Sequence, residues 1–93
     1  MFKTEIKCLR LDTGETLISH VKKGWGVYKL YEPKVLIQEY DEENSRLDVN
    51  LGVWCPYAEK YEFNLKKKTV VAVFKPRYNL ERNYLNSLAR ISQ

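Results

Sequence analysis

Apolar and polar side chains alternate with a period of two along most of this chain, which predicts a protein built mainly of β-strands. Residues 2–11 and 16–22 show the pattern on either side of an Asp-Thr-Gly-Glu turn, a composition that favours a tight reversal. Residues 61–65 alternate again, and residues 70–74 are an apolar, largely β-branched run of strand length. Lys66, Lys67 and Lys68 separate these two segments, so we predict a hairpin with a strongly positive turn.

The middle of the chain predicts three more strands. Residues 27–31 and 35–40 are predicted as separate strands, with a bend or a sheet edge between them, because Pro33 interrupts the run and has no N–H to donate to a sheet. Residues 47–53 alternate well, and we expect them to form a hairpin with residues 35–40 across a polar loop at 41–46. Two glycines flank Trp25 in a turn at residues 22–26, which allows the backbone to swing the indole outward.

The periodicity changes near the C-terminus, where one apolar stripe at helical spacing is formed by Leu80, Tyr84, Leu85, Leu88 and Ile91. This stripe predicts a helix over about 80–91 that covers an open end or a face of the sheet, with Asn79 as its N-cap. The strands lie within residues 2–75. Short strands, frequent turns and one C-terminal helix together predict a mainly β fold, either a small barrel or a sandwich.

Composition limits the protein to one ordinary globular domain over residues 1–93, with a single modest core. Cys8 and Cys55 show no paired spacing typical of zinc or redox sites, and we expect buried thiols in a reducing compartment rather than a disulfide. No apolar run reaches transmembrane length, and the N-terminus lacks the apolar segment of a signal peptide. We therefore predict a cytoplasmic protein with no membrane partner.

Charge is unevenly distributed, although the net charge is only +4. Residues 38–50 carry five acidic side chains and one arginine, a local charge of −4, which leaves +8 on the remainder. A basic body with one acidic segment suits a polyanionic partner. A lysine-rich surface that only solvates the protein explains the same balance, so charge alone leaves both interpretations open.

The sequence offers no convincing active site. His20 is the only histidine, and neither a catalytic triad nor a cysteine–histidine pair can be assembled around it, so we interpret it as structural or surface-exposed. Glu39, Glu42 and Glu43 lack the spacing of a calcium loop and are predicted to form a solvated acidic loop. We expect a non-enzymatic protein with no catalytic residue, metal or cofactor.

The best candidates for binding are basic and aromatic. Lys66, Lys67 and Lys68, with Lys75 and Arg77 close in sequence, form the strongest polyanion candidate. The turn with Lys22, Lys23 and Trp25 is the second, because an exposed indole stacks on nucleobases with little sequence preference. Tyr28 is a further stacking candidate, with core packing as the alternative. The plain alternative for the lysines is a solvated turn, neutralised within the chain by the acidic loop at residues 41–43.

Several motifs resemble those of a known family. The hairpin Leu-Asp-Thr-Gly-Glu-Thr-Leu at residues 11–17 resembles the first motif of the Sm/LSm proteins, and Leu-Lys-Lys-Lys-Thr-Val at residues 65–70 resembles the second. The chain is most similar to the Sm-like proteins encoded by tailed phages of marine bacteria. That similarity rests on Thr-Gly-Glu at 13–15, Glu-Pro at 32–33, Trp-Cys-Pro at 54–56 and Val-Ala-Val-Phe-Lys-Pro before the helix.

This resemblance implies a small bent Sm-like (LSm) β-barrel with one C-terminal α-helix, a homo-oligomeric ring, and RNA or single-stranded nucleic acid held at the pore. It further implies that Lys66 takes the place of the basic residue of the second motif. Lys67 stands where that motif has glycine, and the Asp-x-x-x-Asn stretch of the first motif has no counterpart at residues 25–29. The resemblance also implies a location in the cytoplasm of a phage-infected bacterial host. The alternative function is a protein-interaction or assembly module of a phage without nucleic-acid binding.

Overall fold

The computed structural model describes residues 4–91 and consists of one antiparallel sheet with a helix after it. The strands are β1 (Glu5–Leu11), β2 (Thr16–Lys23), β3 (Val27–Asp41), β4 (Arg46–Val53), β5 (Glu62–Lys66) and β6 (Val70–Phe74), and the helix is α1 (Tyr78–Ile91). The prediction of a mainly β fold with one C-terminal helix is therefore confirmed. The predicted start of the first strand at residue 2 lies outside the described residues.

The sheet has the strand order β4-β3-β2-β1-β6, and β5 also pairs with β3. Because β5 pairs with residues 27–31 and β4 with residues 34–41, both lie along the edge of β3 that faces away from β2. Counted together, β4 and β5 occupy one strand position, so the sheet is five positions wide. Within residues 4–91, β5 and β6 each pair along a single edge, and the sheet is not closed.

The two strands predicted on either side of Pro33 are one continuous 15-residue strand, β3, whereas the bend predicted at this proline is present. Pro33 is tolerated because it falls between the two partners on its edge: pairing with β5 ends at Tyr31 and pairing with β4 begins at Lys34. The chain bends here instead of stopping. Glu32 has a left-handed φ of 54°, and the register with β2 shifts between Ile18 and His20.

The predicted hairpin of residues 61–65 with residues 70–74 is also wrong. β5 pairs with β3, β6 pairs with β1, and the lysines between them lie in a short 3₁₀ turn, Lys67–Thr69, that follows Lys66. In a flat sheet four strand spacings of about 4.8 Å would separate β5 from β6 by about 19 Å. A link from residue 66 to residue 70 spans at most about 14 Å, so the sheet must curl. The hairpins β1–β2 and β3–β4 form as predicted.

The inner face of this curl holds the main core. Its buried members are Leu9, Leu11, Leu17, Val21 and Leu30, and partly buried residues from both outer strands pack on them, including Phe63 and Val70. β5 and β6 lie at opposite sides of the sheet, so they can contribute to one cluster because the sheet is curled. Burying these aliphatic side chains contributes roughly 1.5–3 kcal/mol for each one fully removed from water.

Helix α1 packs on the opposite face, where Tyr84 forms a buried cluster with Cys8 and Ile18. Leu80 and Leu88 pack beside it, so most of the predicted apolar stripe is confirmed. Leu85 departs from the prediction, because its side chain is 40% exposed. The stripe member at position 91 lies outside the side chains that the structure describes.

Two local predictions need correction. Asn79 is not the N-cap, because the helix already begins at Tyr78; the switch of periodicity after Pro76 marks a helix start only to within a residue or two. The two cysteines are free thiols, as expected, but only Cys8 is buried and Cys55 is half-buried. Burial raises the pKa of the Cys8 thiol to about 11, so this thiol stays protonated at neutral pH.

Candidate nucleic-acid interface

The structure brings the lysine turn and the tryptophan turn together. The backbone N–H of Lys67 donates a 3.0 Å hydrogen bond to the carbonyl of Gly26, and Lys66 is the register partner of Val27. The sequence predicted both turns as candidates but gave no reason to place them side by side. We call the shared surface the basic corner; its residues are Lys22, Lys23, Trp25, Tyr28, Lys66, Lys67 and Lys68.

The three lysines of the turn are held differently. Lys66 and Lys68 are exposed, whereas Lys67 is half-buried with its ammonium 5.2 Å from the centroid of the Tyr28 ring. This is the distance of a cation–π contact, which favours one position of the charge. The Thr69 hydroxyl donates a 2.7 Å hydrogen bond to the Lys66 carbonyl and closes the turn. Two charges therefore reach into solvent from a fixed backbone, and the third is anchored.

Trp25 extends from its turn without packing on the chain, and its relative exposure is 101%. Gly26 takes a left-handed φ of 67°, and the Gly24 N–H donates to the Val27 carbonyl at 2.9 Å. This narrow turn keeps the indole away from the core. An indole in water makes little of the large apolar contribution that tryptophan normally makes to stability, and Trp25 is therefore accessible to a partner.

Lys22 and Lys23 extend the basic corner along β2. Their register partners are Lys29 and Tyr28, and both lysines line a cavity of about 520 Å³ whose wall also contains Lys7 and Tyr28. Lys7 was not among the residues predicted from the sequence, and it forms a 3.4 Å ion pair with Glu5, which lines the same cavity. The signal was present, because the period of two places Lys7 on the same face of β1 as buried Leu9.

Tyr28 combines the two roles that the sequence left open. Its ring is half-buried and packs against the core cluster of the inner face. The same ring faces the Lys67 ammonium and lines the cavity beside Lys22 and Lys23. Tyr28 therefore connects the lysine turn to the lysines of β2, a link that no spacing in the sequence reveals.

The acidic loop does not neutralise the lysine turn, so the expected neutralisation within the chain is wrong, whereas a solvated turn stays open as the alternative. Asp41 ends β3, whereas the lysine turn adjoins Val27 at its start. No carboxylate within residues 4–89 forms an ion pair with Lys66, Lys67 or Lys68; the two ion pairs found there are Lys7–Glu5 and Arg46–Asp48. Three adjacent ammonium groups are left to repel one another.

The loop instead satisfies itself. The Asp41 carboxylate accepts a 2.7 Å hydrogen bond from the Asn44 side-chain amide and further bonds from the backbone N–H groups of Glu43 and Asn44. These hydrogen bonds, the side-chain amide of Asn44 first, hold the pKa of Asp41 below its usual range. The acidic loop is thus a self-contained turn at the far end of β3.

Lys75 and Arg77 are not part of the basic corner, although they are close to it in sequence. They follow the other end of β6, whose five residues span roughly 17 Å. They lie instead beside Arg10 in a separate groove under the helix.

His20 lies in a structural position. Its Nδ1 is 3.3 Å from the Thr4 hydroxyl and its ring is 5.7 Å from that of Tyr84. Over the described residues, no group of three or more metal-ligating side chains comes together. Over the same range, no helix has the length and apolar character needed to cross a membrane.

No model of a known protein family matches this chain, and no curated protein sequence matches it. Function therefore has to be inferred from the geometry of the basic corner and from the topology of the sheet.

Proposed function

We propose that this protein is an Sm-like module that binds RNA or single-stranded nucleic acid, without enzymatic activity, as a homo-oligomeric ring. The observation that carries the proposal is the 3.0 Å hydrogen bond from Lys67 N–H to the Gly26 carbonyl. It fixes a cluster of cations against an exposed indole, and this is the pairing of backbone charge and stacking surface that single strands require.

The topology gives independent support. The two segments that resemble the Sm motifs touch each other, since the Asp12 N–H donates a 2.8 Å hydrogen bond to the Thr69 carbonyl and Leu11 is the register partner of Val70. The sheet is five strand positions wide and curled, which fits a bent five-stranded barrel that remains open between β5 and β6.

The open edges support the ring. An unpaired strand edge is a template for another chain, and the β6 edge carries exposed Val71 and Val73. If β6 of one protomer pairs with β5 of the next, the contact is heterologous and closes by rotation into a ring. Such a ring repeats the lysine turn around one axis. The lysines of neighbouring subunits would repel one another, and a polyanion bound there would relieve that repulsion.

The role of each residue follows from its exposure. Lys66, Lys68 and Lys23 present charges that contact phosphates and release counterions. Trp25 offers an indole face to a base. Lys67 is anchored on Tyr28 and contributes a fixed positive potential. None of these side chains reads a base edge through a rigid donor pair, so we expect weak sequence preference.

The test measures affinity and mass together. Fluorescence polarisation with a labelled single-stranded RNA across a series of salt concentrations should give a linear fall of log K with log salt. Light scattering on the same sample should give a mass several times that of the 11.1 kDa chain. Absence of binding at low salt would overturn the nucleic-acid role. A large mass without RNA binding would favour the assembly module of a phage.

A further inference from the structure

A second concave surface lies on the helix side of the sheet, where α1 covers only part of the face. The helix packs against the part near Cys8 and Ile18, and the remaining part stays open. The open part is a cavity of about 930 Å³ between β3, β4, the end of β6 and the first turns of α1. We call it the helix-side groove; its lining includes Arg10, Leu36, Leu47, Val49, Lys75 and Arg77.

The rim of the helix-side groove is basic. Arg10, Lys75 and Arg77 all line it and are exposed. No ion pair with any of the three is formed within the part of the chain that the structure describes; Arg10 makes only a 3.1 Å side-chain hydrogen bond to the Thr16 hydroxyl. The one carboxylate in the lining, Asp48, is already paired with Arg46 at 3.1 Å. The rim therefore offers three cations that have no carboxylate partner among the described residues.

The floor of the groove is mainly aliphatic, with Phe74 as the aromatic side chain in its lining. Leu36, Leu47 and Val49 line it, and the last two are 55% and 41% exposed. Side chains alternate between the two faces of a strand, so Leu36, Gln38 and Tyr40 lie on one face of β3. Val49 and Leu47 are the register partners of Gln38 and Tyr40 on β4, so the three floor residues lie on that same face. Exposed aliphatic side chains grouped in a concavity mark an interaction site more often than scattered ones do.

We propose that the helix-side groove binds an acidic, amphipathic peptide segment of a partner protein. Its apolar side chains would pack on Leu36, Leu47 and Val49, and its carboxylates would pair with Arg10, Lys75 and Arg77. The complementarity is of two kinds at once, charged at the rim and apolar at the floor. A nucleic acid satisfies the rim, but its bases prefer aromatic platforms, and the lining described has one aromatic side chain, Phe74, against several aliphatic ones. Grooves of this design receive amphipathic segments elsewhere.

This site goes beyond the nucleic-acid role and does not depend on it. The groove lies at the C-terminal end of β6, whereas the lysine turn precedes the N-terminal end of that strand. It also opens from the face of the sheet, whereas ring closure would use the edges.

The test begins with a displayed library of random twelve-residue peptides selected on the full-length protein. We expect the recovered peptides to be enriched in Asp and Glu interspersed with Leu, Ile or Phe. One recovered peptide is then labelled and titrated by fluorescence polarisation. The rim variant Arg10→Gln/Lys75→Gln/Arg77→Gln should bind it about tenfold more weakly, because three exposed charge contacts are lost. The floor variant Val49→Asp should also weaken binding, through repulsion and lost apolar contact.

The matched control is Lys66→Gln/Lys67→Gln/Lys68→Gln, which removes the same charge from the basic corner and should leave peptide affinity unchanged. Circular dichroism on each variant shows that it is folded. Equal loss in both triple variants would overturn the proposal, because it would reduce the binding to bulk charge. Recovered peptides without acidic enrichment would overturn it as well. Loss of single-stranded RNA binding in the rim variant alone would also overturn it and assign the groove to nucleic acid. Failure of RNA binding with peptide binding intact would instead overturn only the role of the basic corner.

Discussion

The hydroxyl of Tyr84 donates a 2.8 Å hydrogen bond to the backbone carbonyl of Glu32 and so ties the C-terminal helix to the bend in the sheet. The same oxygen accepts a 3.2 Å bond from the His20 N–H. Beside it, the Ser19 hydroxyl lies 2.9 Å from the Tyr31 carbonyl. The register between β2 and β3 shifts at this point, so the two hydroxyls supply hydrogen-bond partners to backbone groups that the strand ladder leaves unpaired. Because Tyr84 belongs to α1, the bend depends on the helix.

We expect Tyr84→Phe to lower the free energy of unfolding by about 1–3 kcal/mol, the cost of leaving buried backbone groups without a partner. The ring and its packing against Cys8 and Ile18 are retained, so the loss reports the hydroxyl. Urea denaturation of wild type and variant measures it. Tyr78→Phe is the matched control, because Tyr78 lies on the same helix but is 70% exposed; it should change stability by no more than about 0.5 kcal/mol. Equal effects of the two substitutions would contradict the role of the hydroxyl.

Stability should be level near neutral pH and fall at alkaline pH. Burial raises the pKa of Cys8 from 9.0 to about 11 and, as the main cause, the pKa of Tyr84 from 10.0 to about 12. Each group keeps its proton more tightly in the folded state, so its contribution is complete below the unfolded pKa and is lost as pH rises through the folded one. The decline should therefore lie between about pH 9 and pH 12.

Urea denaturation at a series of pH values measures this decline. Lysines also lose charge in that range, so the informative quantity is the difference between wild type and Tyr84→Phe. That difference should shrink above pH 10, where the tyrosine of the unfolded chain begins to ionise. A difference that stays constant to pH 12 would show that Tyr84 does not titrate as its burial requires.

Much of the fold was predictable because local patterns determine it. Alternation identified nearly every strand, and the Asp-Thr-Gly-Glu turn identified the first hairpin. The change to helical spacing located α1 to within two residues. These features depend on neighbours in sequence, where side-chain period and turn chemistry are decisive.

The pairing of strands was not predictable in the same way. Nothing in residues 61–74 indicates that β5 pairs with β3 and β6 with β1, because the two strands are equally able to pair with each other as a hairpin. The continuity of β3 through Pro33 was hidden for a related reason. A proline is excluded from a ladder only where its missing N–H is needed, and that depends on a partner elsewhere in the chain.

The candidate site shows the same division. Residue type alone identified the three lysines and Trp25 as candidates for binding, but their proximity depends on the hydrogen bond between Lys67 and Gly26. The contact of Lys67 with Tyr28 depends on the register of β5 with β3. Long-range register, rather than composition, turns separate candidates into one surface.

Val71→Lys tests the assembly at the edge of β6. Val71 is 64% exposed, so the folded protomer should change stability by no more than about 0.5 kcal/mol. A lysine on an edge strand opposes pairing with another chain, and light scattering should show a shift from ring to protomer. Leu85→Lys, an exposed aliphatic position on the helix, is the control and should leave the mass unchanged. An unchanged mass for Val71→Lys would place the subunit contact away from β6.

The last prediction separates charge from stacking at the basic corner. Replacing Lys66, Lys67 and Lys68 by alanine should leave the fold intact, because their turn is closed by backbone bonds and by Thr69. The variant should bind single-stranded RNA more weakly, and the slope of log K against log salt should flatten by about 1.4, at about 0.7 for each phosphate contact of Lys66 and Lys68. Trp25→Ala should instead weaken binding by about 1–3 kcal/mol, the contribution of one stacked base, with little change in slope.

Fluorescence polarisation at several salt concentrations measures both quantities in one experiment. Arg10→Ala/Lys75→Ala/Arg77→Ala is the matched control, since it removes equal charge from the helix-side groove and should keep both the affinity and the slope for RNA. The separation of effects matters more than either loss alone, because general charge attraction would flatten the slope equally in the two triple variants. Wild-type affinity in the lysine-turn variant would rule out the basic corner as the nucleic-acid interface and would favour a role in assembly.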